Sequence, residues 1–571
     1  MPSLQVPSSL IYYTENSRKL LNAAHTPETN QSPKDGQGLA LWVLPELSSS
    51  VCIRGLSRTM FPVRILVKIR LLFLLALLPC TSLIAEVTLP KILASHMVVQ
   101  RDLPVHAWGL ATPGETVSVS FRGETRSTVA GRLGRWSLYL KPGAAGGPFQ
   151  MVVNGTLSAA PGAAASPSEP PVVLDDVLVG DVWVASGQSN MEFEMRKAST
   201  AAQDLPKASN ARIRLLIVKK RAINYPLDDI ETDGWAASTP ETANDFSAVA
   251  WYFAREIEQR EHVPVGVIDS SWGGTLADTW TRMAALGEDA ALAPVFVSWG
   301  KMTEREEDAK LEDKDQQKQR EEAKAQGKPE PKFPWHPQLD SWGPGMLWNG
   351  MIAPLTPFPI RGVIWYQGES NSALVRAPLY KRVFSTMIED WRRQWGVGDF
   401  PFLYVQISNY KSTPNEDWAT LREQQRKTLA LRNTAMAVTI DIGNPDDVHP
   451  TDKIDVGHRL ALAARSLTYG ETVEYTGPSF RQATPEGTAI RAWFDHAKGL
   501  VAKGGAATGF EVAGKDGKFA PASASVEGST VLASSPSVAE PVYVRYGWAN
   551  SPECNLFDGE GLPASPFTSV P

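Results

Sequence analysis

Hydrophobic positions between residues 177 and 469 follow two patterns that alternate along the chain. Short apolar runs rich in β-branched residues are typical of buried parallel strands, and they cover Val177–Ala185, Val263–Ile268, Ile360–Tyr366, Phe400–Ser408 and Ala435–Ile442. The stretches between them carry a helical pattern, and they cover Phe246–Gln259, Leu379–Trp395, Asp417–Leu431 and Lys453–Tyr469. This alternation predicts an α/β fold, with a parallel sheet covered by helices on both faces.

The regions on either side of this α/β stretch have a different pattern. Residues 86–175 contain short alternating runs, such as Val117–Phe121, separated by Gly and Pro turns, which predicts a small N-terminal β-sandwich domain. Residues 476–571 return to short runs such as Val542–Tyr546, and we predict a C-terminal β region there.

A central domain is therefore predicted at 176–475. It is interrupted at 303–332 by a charge-dense stretch, for which a solvated helix or a mobile insertion is expected.

A leader precedes these regions. Residues 63–70 are basic, Leu71–Leu78 is apolar, and small residues follow up to Ala85. This order predicts a secretory signal peptide from Met60 to Ala85 that is too short to span a bilayer. We interpret residues 1–59 as a spurious N-terminal extension, and we expect a periplasmic or secreted protein without a membrane span after the signal is removed.

Composition narrows the functional classes further. The chain has 571 residues, of which 43% are hydrophobic, and its formal net charge is −6. Because no basic stripe is present, nucleic acid is not an expected partner. Only Cys554 follows the leader, the other cysteines being Cys52 and Cys80, so neither a disulfide framework nor a CxxC metal site is predicted. No cofactor and no metal are expected. The oligomeric state is not predicted.

The first candidate for chemistry is Ser189, which follows the predicted strand Val177–Ala185. The carboxyl ends of strands are where open α/β sheets bind ligands. A serine at this position suits an acyl-transfer nucleophile. The alternative is that Ser189 only caps a helix, since serine is a preferred N-cap residue.

Three more polar loops follow predicted strands. Asp269–Thr275 contains two adjacent glycines, and Trp365–Asn371 contains side-chain amides that could donate to an oxyanion. In the third loop, Asp446 precedes His449 by three residues, so a carboxylate could orient an imidazole that accepts the serine proton. Four polar loops at four strand ends favour a hydrolytic site.

The motifs GQSNM, SWGG, WYQGESN and DDVHP resemble those of the SGNH hydrolase superfamily and, more closely, those of the sialate O-acetylesterase family. The resemblance implies an SGNH or flavodoxin-like parallel sheet sandwiched by helices, with accessory β-sandwich regions at both ends. It also implies a serine esterase, a carboxylic ester hydrolase that removes O-acetyl groups from sugars. The substrate would be an acetylated carbohydrate, of the sialate 9-O-acetyl type. Acetylxylan or another polysaccharide is the alternative substrate, and a non-catalytic glycan-binding protein on the same fold is the alternative of another class.

The resemblance also assigns roles residue by residue. Ser189 corresponds to the nucleophile, His449 to the base and Asp446 to the orienting carboxylate, with Asp447 as the alternative. The implied oxyanion donors are the Ser189 N–H, the Gly273 N–H and the Gln367 amide. Gly274 and Asn371 are the alternative oxyanion donors. Glu369 would brace the loop that contains Gln367.

Overall fold

The computed structural model describes residues 87–157, 166–167, 170–331, 333 and 339–571. The predicted N-terminal extension and the predicted signal peptide lie outside these residues.

The N-terminal region consists of short strands, as the alternating pattern predicts. Its strands are β1 (Val98–Gln100), β2 (Val105–Leu110), β3 (Thr116–Phe121), β4 (Glu124–Val129), β5 (Arg135–Leu140), β6 (Gly146–Leu157) and β7 (Ser166–Pro167). β3 pairs antiparallel with β4 and β6, and β2 pairs antiparallel with β5. Alternate residues of β3, namely Val117, Val119 and Phe121, are buried, because successive side chains of a strand point to opposite faces.

A long strand, β8 (Val172–Gly187), continues from this region into the central sheet. Its first part pairs antiparallel with β6, and its second part pairs in parallel with strands of the central sheet. The predicted boundary between residues 175 and 176 therefore lies inside one strand.

The central sheet confirms the predicted parallel α/β architecture. Its other strands are β9 (Asn210–Ile217), β10 (Ala236–Ser238), β11 (Val265–Ser271), β12 (Gly362–Tyr366), β13 (Phe402–Gln406) and β14 (Thr434–Val438). The order is β10-β9-β11-β8-β12-β13-β14, and β10 is antiparallel to its neighbour β9. The other neighbours pair in parallel. Strands β11, β12 and β13 are buried along their whole length, as continuous apolar runs predict.

Helices connect and cover these strands. They are α1 (Ser189–Glu192), α2 (Ala201–Asp204), α3 (Pro240–Asn244), α4 (Ala248–Glu261), α5 (Met283–Gly287), α6 (Ala293–Thr303), α7 (Glu306–Ala325), α8 (Leu339–Trp342), α9 (Tyr380–Trp395), α10 (Trp418–Thr428) and α11 (Ile454–Leu467). α4 packs on α11 and on β11, and α9 packs on α10. α7 lies in the charge-dense stretch, and Gln316 is its one buried residue, as expected for a solvated helix.

The C-terminal region is a β-sandwich with its own hydrophobic core. Its strands are β15 (Ser479–Glu486), β16 (Ala489–Asp495), β17 (Val501–Ala502), β18 (Phe510–Ala513), β19 (Phe519–Pro521), β20 (Ser523–Glu527), β21 (Thr530–Ser534), β22 (Tyr543–Tyr546), β23 (Leu556–Phe557) and β24 (Phe567–Thr568). The main sheets run β15-β16-β21-β20 and β19-β18-β22-β24. Within the described ranges, the structure contains no helix with the length and apolar character needed to cross a bilayer.

Candidate active site

The register of the central sheet places three candidate loops side by side. Gly187, the last residue of β8, pairs with Ser271 at the end of β11 and with Tyr366 at the end of β12. Gly187 has a φ of +137°, and a Cβ there would lie 2.1 Å from the carbonyl oxygen of Tyr366. Only glycine fits such a close backbone approach. The loops that follow these three strands therefore start from the same edge of the sheet.

Ser189 contacts His449 across these loops. It is the first residue of α1, whose N-cap is Gln188, so Ser189 does not occupy the N-cap position. Its hydroxyl oxygen lies 2.7 Å from Nε2 of His449, within hydrogen-bond distance. Burial lowers the pKa of His449, and the positive charge of Lys453 lowers it further. A neutral imidazole beside a serine hydroxyl is the arrangement of a nucleophile and its general base.

The carboxylate beside the base is Asp447. One of its oxygens lies 3.8 Å from Nδ1 of His449 and accepts the backbone N–H of His449 at 2.9 Å. Asp446 instead accepts from Nζ of Lys411 at 3.1 Å, and 79% of its side chain is exposed. The structure therefore brings Asp447, the alternative residue, to the base, and it does not bring Asp446 there.

The two candidate amides in the loop after β12 differ in whether their N–H groups are already used in hydrogen bonds. Gln367 is fully buried, and its amide nitrogen donates to the Thr275 carbonyl (3.1 Å) and to Oδ1 of Asn371 (2.7 Å). These bonds commit both amide hydrogens of Gln367. Oδ1 of Asn371 also accepts the Ala277 N–H at 2.9 Å. The Asn371 NH₂ group has no hydrogen-bond partner among the described residues, so it is the amide left free to donate.

The glycine loop lies directly against the nucleophile. A Cβ at Gly273 would be 3.2 Å from Cβ of Ser189. The Gly273 N–H donates to a carboxylate oxygen of Glu192 at 2.6 Å, and the other oxygen of Glu192 lies 2.5 Å from Nζ of Lys220. Gly274 has a φ of +74°, and its carbonyl accepts from the indole of Trp342. Gly273 is thus the glycine whose N–H faces the site, and Glu192 occupies that N–H.

A buried polar network under the loops was not predicted as a whole. Asn190 donates to the Glu369 carboxylate at 2.6 Å and to the Val448 carbonyl at 3.0 Å. Nζ of Lys453 donates to Oδ1 of Asn190 at 2.5 Å. Glu369 was expected to brace its loop, whereas Asn190 and Lys453 were missed. No pattern in the sequence marks Lys453 as buried, because a lysine at the start of a predicted helix is ordinarily solvated.

Within the described ranges, the structure shows no group of three or more His, Cys, Asp or Glu side chains that could hold a metal ion. What the loops bring together is a serine, an imidazole, a carboxylate and hydrogen-bond donors. These are the groups that acyl transfer through a covalent serine intermediate requires.

Comparison with known proteins agrees with this geometry. A family profile described as "Carbohydrate esterase, sialic acid-specific acetylesterase" matches residues 338–466. The sialate O-acetylesterase of Mus musculus is 31% identical over 423 residues, covering 67% of this chain and 74% of that protein. The Homo sapiens sialate O-acetylesterase is 30% identical over 421 residues, covering 67% and 72%.

A solved structure is also similar. The crystal structure of a carbohydrate acetylesterase from Xanthomonas citri is 38% identical in sequence, with a TM-score of 0.72. The match covers 85% of this chain and 99% of that one. The chain therefore belongs to the sialate O-acetylesterase family of carbohydrate esterases.

Proposed function

We propose that this chain hydrolyses acetyl esters of sugars, with Ser189 as the nucleophile, His449 as the general base and Asp447 as the carboxylate that supports it. The observation that carries this proposal is the 2.7 Å contact between the Ser189 hydroxyl and Nε2 of His449. The two residues are 260 positions apart in the sequence, and nothing local to either loop requires them to meet.

The reaction proceeds in two steps. Ser189 Oγ attacks the acetyl carbonyl carbon while Nε2 of His449 takes the hydroxyl proton. His449 then gives this proton to the sugar oxygen as the C–O bond breaks, which leaves an acetyl-serine. Water then attacks the acetyl carbonyl carbon while His449 takes a proton from the water. The bond to Ser189 Oγ breaks as His449 returns this proton to Oγ, and the acetic acid that leaves ionises to acetate. The negative charge of Asp447 favours the imidazolium that forms in both steps.

The tetrahedral intermediates need hydrogen-bond donors for their oxyanion. The backbone N–H of Ser189 has no acceptor among the described residues, and neither has the Asn371 NH₂ group, so we assign both as donors. The Gly273 N–H becomes a third donor when Glu192 leaves it. Lys220 already contacts the other carboxylate oxygen of Glu192 and can hold the displaced side chain. Loss of one such donor costs about 3–4 kcal/mol in the barrier of acyl-transfer enzymes.

For the substrate we propose an O-acetylated sialic acid, of the 9-O-acetyl type, because the mouse and human relatives are sialate O-acetylesterases. An acetylated polysaccharide such as acetylxylan is the second candidate. The Xanthomonas citri protein, which matches this chain at higher identity and over more of its length, is described as a carbohydrate acetylesterase without restriction to sialic acid. A protein that only binds glycans does not require a serine hydroxyl in contact with an imidazole, so the contact between Ser189 and His449 favours an esterase.

The test is acetate release from 9-O-acetylated sialic acid and, in parallel, from acetylated xylan. Wild type is compared with Ser189→Ala and His449→Ala. His458→Ala is the matched control, because His458 lies on α11 and its Nδ1 is 2.7 Å from a carboxylate oxygen of Glu256. Release that disappears in the first two variants and persists in the control supports the mechanism, and the preferred substrate identifies the sugar class. Release that is unchanged in Ser189→Ala would refute the assignment.

We also propose that the chain is exported by a signal peptide from Met60 to Ala85. The support is the order of basic, apolar and small residues in the sequence. N-terminal sequencing of the exported protein tests this proposal. A mature chain that begins near residue 86 is expected, and a chain that retains the apolar run would contradict it.

A further inference from the structure

One side chain connects the backbone beside the nucleophile to the backbone beside the base. Asn190 directly follows Ser189, and Val448 directly precedes His449. The amide nitrogen of Asn190 donates to the Val448 carbonyl at 3.0 Å. This bond ties the two catalytic loops together one residue away from the contact between Ser189 and His449.

The bond works in only one orientation of the Asn190 amide, and two charged groups set that orientation. Lys453 donates to Oδ1 at 2.5 Å, and Glu369 accepts from Nδ2 at 2.6 Å. An ammonium group has donors only and a carboxylate has acceptors only. A flipped amide would therefore face Lys453 with its own donor, and it would face Glu369 and the Val448 carbonyl with an acceptor.

The network is shielded from water. Asn190 is 1% exposed, Lys453 is 0% exposed and Glu369 is 9% exposed. The ammonium group lies 4.6 Å from the ring centroid of Phe193 and 5.4 Å from that of Tyr366. Burial lowers the pKa of Lys453 to about 7, although the charge of Glu369 acts in the opposite direction.

Burying a lysine in this way lowers the stability of the fold. Within the described part of the chain, no carboxylate lies within ion-pair distance of Lys453, and the ammonium group is held by an amide oxygen and two aromatic faces. Burying a charge costs several kcal/mol, and an apolar residue of similar volume often serves stability equally well. Packing alone therefore does not account for a lysine here.

We propose that Lys453 is a positioning residue of the esterase: by holding Asn190 in its donating orientation, it fixes the Val448 carbonyl and so keeps His449 against Ser189. The proposal rests on the roles proposed above for Ser189 and His449. Lys453 acts through Asn190 and contacts no reacting atom.

The same lysine acts on the base electrostatically. The charged groups around His449 are Lys453 and Lys197, which lower its pKa, and Asp447 and Glu192, which raise it. Replacing Lys453 by methionine removes a positive charge, so the pKa of His449 rises. Because the base must be neutral, the acid limb of activity then moves to higher pH.

The experiment uses two variants and their combination. Lys453→Met removes the group that orients the amide. Asn190→Asp keeps an acceptor for Lys453 and places an oxygen against the Val448 carbonyl, so it provides a second test if Lys453→Met does not fold. Lys411→Met is the control, because Lys411 follows β13, its side chain contacts the base loop through Asp446, and 66% of that side chain is exposed.

We expect kcat to fall about 30- to 300-fold in either variant with KM within about twofold, since small misplacements of catalytic groups have effects of this size. The kcat of the double variant should be no lower than that of the more impaired single variant, because both changes break one coupled unit. Lys411→Met should stay within about twofold of wild type. Unchanged kcat in both variants, or losses that multiply in the double variant, would overturn the positioning role.

Labelling of Ser189 by an organophosphate, followed by mass spectrometry, separates this inference from the proposed function because it needs no sugar substrate. If wild-type Ser189 does not react, both proposals are overturned. If wild type reacts and both variants react at the same rate as wild type, only the role of Lys453 is overturned. Slower labelling in both variants, with normal labelling in Lys411→Met, supports it.

Discussion

Asp446 and Asp447 form a matched pair for testing which carboxylate supports the base. They are adjacent in one loop, yet Asp447 lies 3.8 Å from Nδ1 of His449 while Asp446 contacts Lys411. Changing each to asparagine removes one negative charge and keeps the size of the side chain. Because only Asp447 faces the imidazole, we expect Asp447→Asn to reduce kcat/KM and Asp446→Asn to leave it within about threefold.

The size of the loss follows from the geometry. Two unit charges at this separation attract by about 1 kcal/mol in water and by about 4 kcal/mol at an effective dielectric constant of about 20. The side chains of His449 and Asp447 are 38% and 57% exposed, so solvent screening keeps the interaction in the lower half of that range. A barrier increase of about 1–2.5 kcal/mol corresponds to a loss of about 5- to 70-fold.

The assay is acetate release under kcat/KM conditions across the pH range, with thermal unfolding to confirm that both variants are folded. The Asp447 charge raises the pKa of His449, so Asp447→Asn should also move the acid limb to lower pH. A larger loss in Asp446→Asn than in Asp447→Asn would refute the assignment. A loss of more than about 1,000-fold in Asp447→Asn would refute the screened ion pair and require a direct hydrogen bond to the imidazole in the transition state.

Four further predictions follow from the geometry. The acid limb of kcat/KM should lie below the ordinary histidine pKa of about 6.5, because burial and nearby cations lower the pKa of His449; a pH profile measures it. Gly187→Ala should destabilise the fold by more than about 3 kcal/mol, since its Cβ would clash with a carbonyl oxygen; urea unfolding measures this. Arg422→Met should cost about 1–3 kcal/mol in the same assay, because it leaves the carbonyls of residues 408, 549 and 550 without the buried guanidinium that donates to them. Glu192→Gln should speed organophosphate labelling about two- to fivefold by weakening the ionic hydrogen bond on the Gly273 N–H; slower labelling would show that Glu192 holds this donor in place.

The strands of the central sheet were predictable because each one is marked by the hydrophobic pattern of its own residues. A buried parallel strand needs apolar side chains on both faces, so β12 and β13 appear in the sequence as continuous hydrophobic runs. Their ends differ from the prediction by two residues in most cases. The strand predicted at 263–268 covers Val265–Ser271, because polar residues at its end still pair with β8.

The choice between neighbouring polar residues was not predictable, because it depends on hydrogen-bond partners in the folded structure, some of which are distant in the sequence. Asp447 accepts the N–H of His449 in a local turn, which holds it on the side of the base. Asp446 instead contacts Lys411, 35 residues earlier. Gln367 follows its strand directly, as expected, but the hydroxyl of Tyr380 on α9 donates to its amide oxygen and fixes it in the interior.

The motif GQSNM is informative because most of its side chains serve other loops. Gly187 allows contact with the backbone of β12, and Oε1 of Gln188 accepts two N–H groups of the loop that follows β12. Asn190 binds that same loop and the loop that carries the base. Any tight turn could place a serine alone. These contacts form only when the loops that follow β8, β12 and β14 lie next to one another. For this reason the motif predicts the arrangement of the whole site, and its non-nucleophilic residues are where substitutions should separate positioning from chemistry.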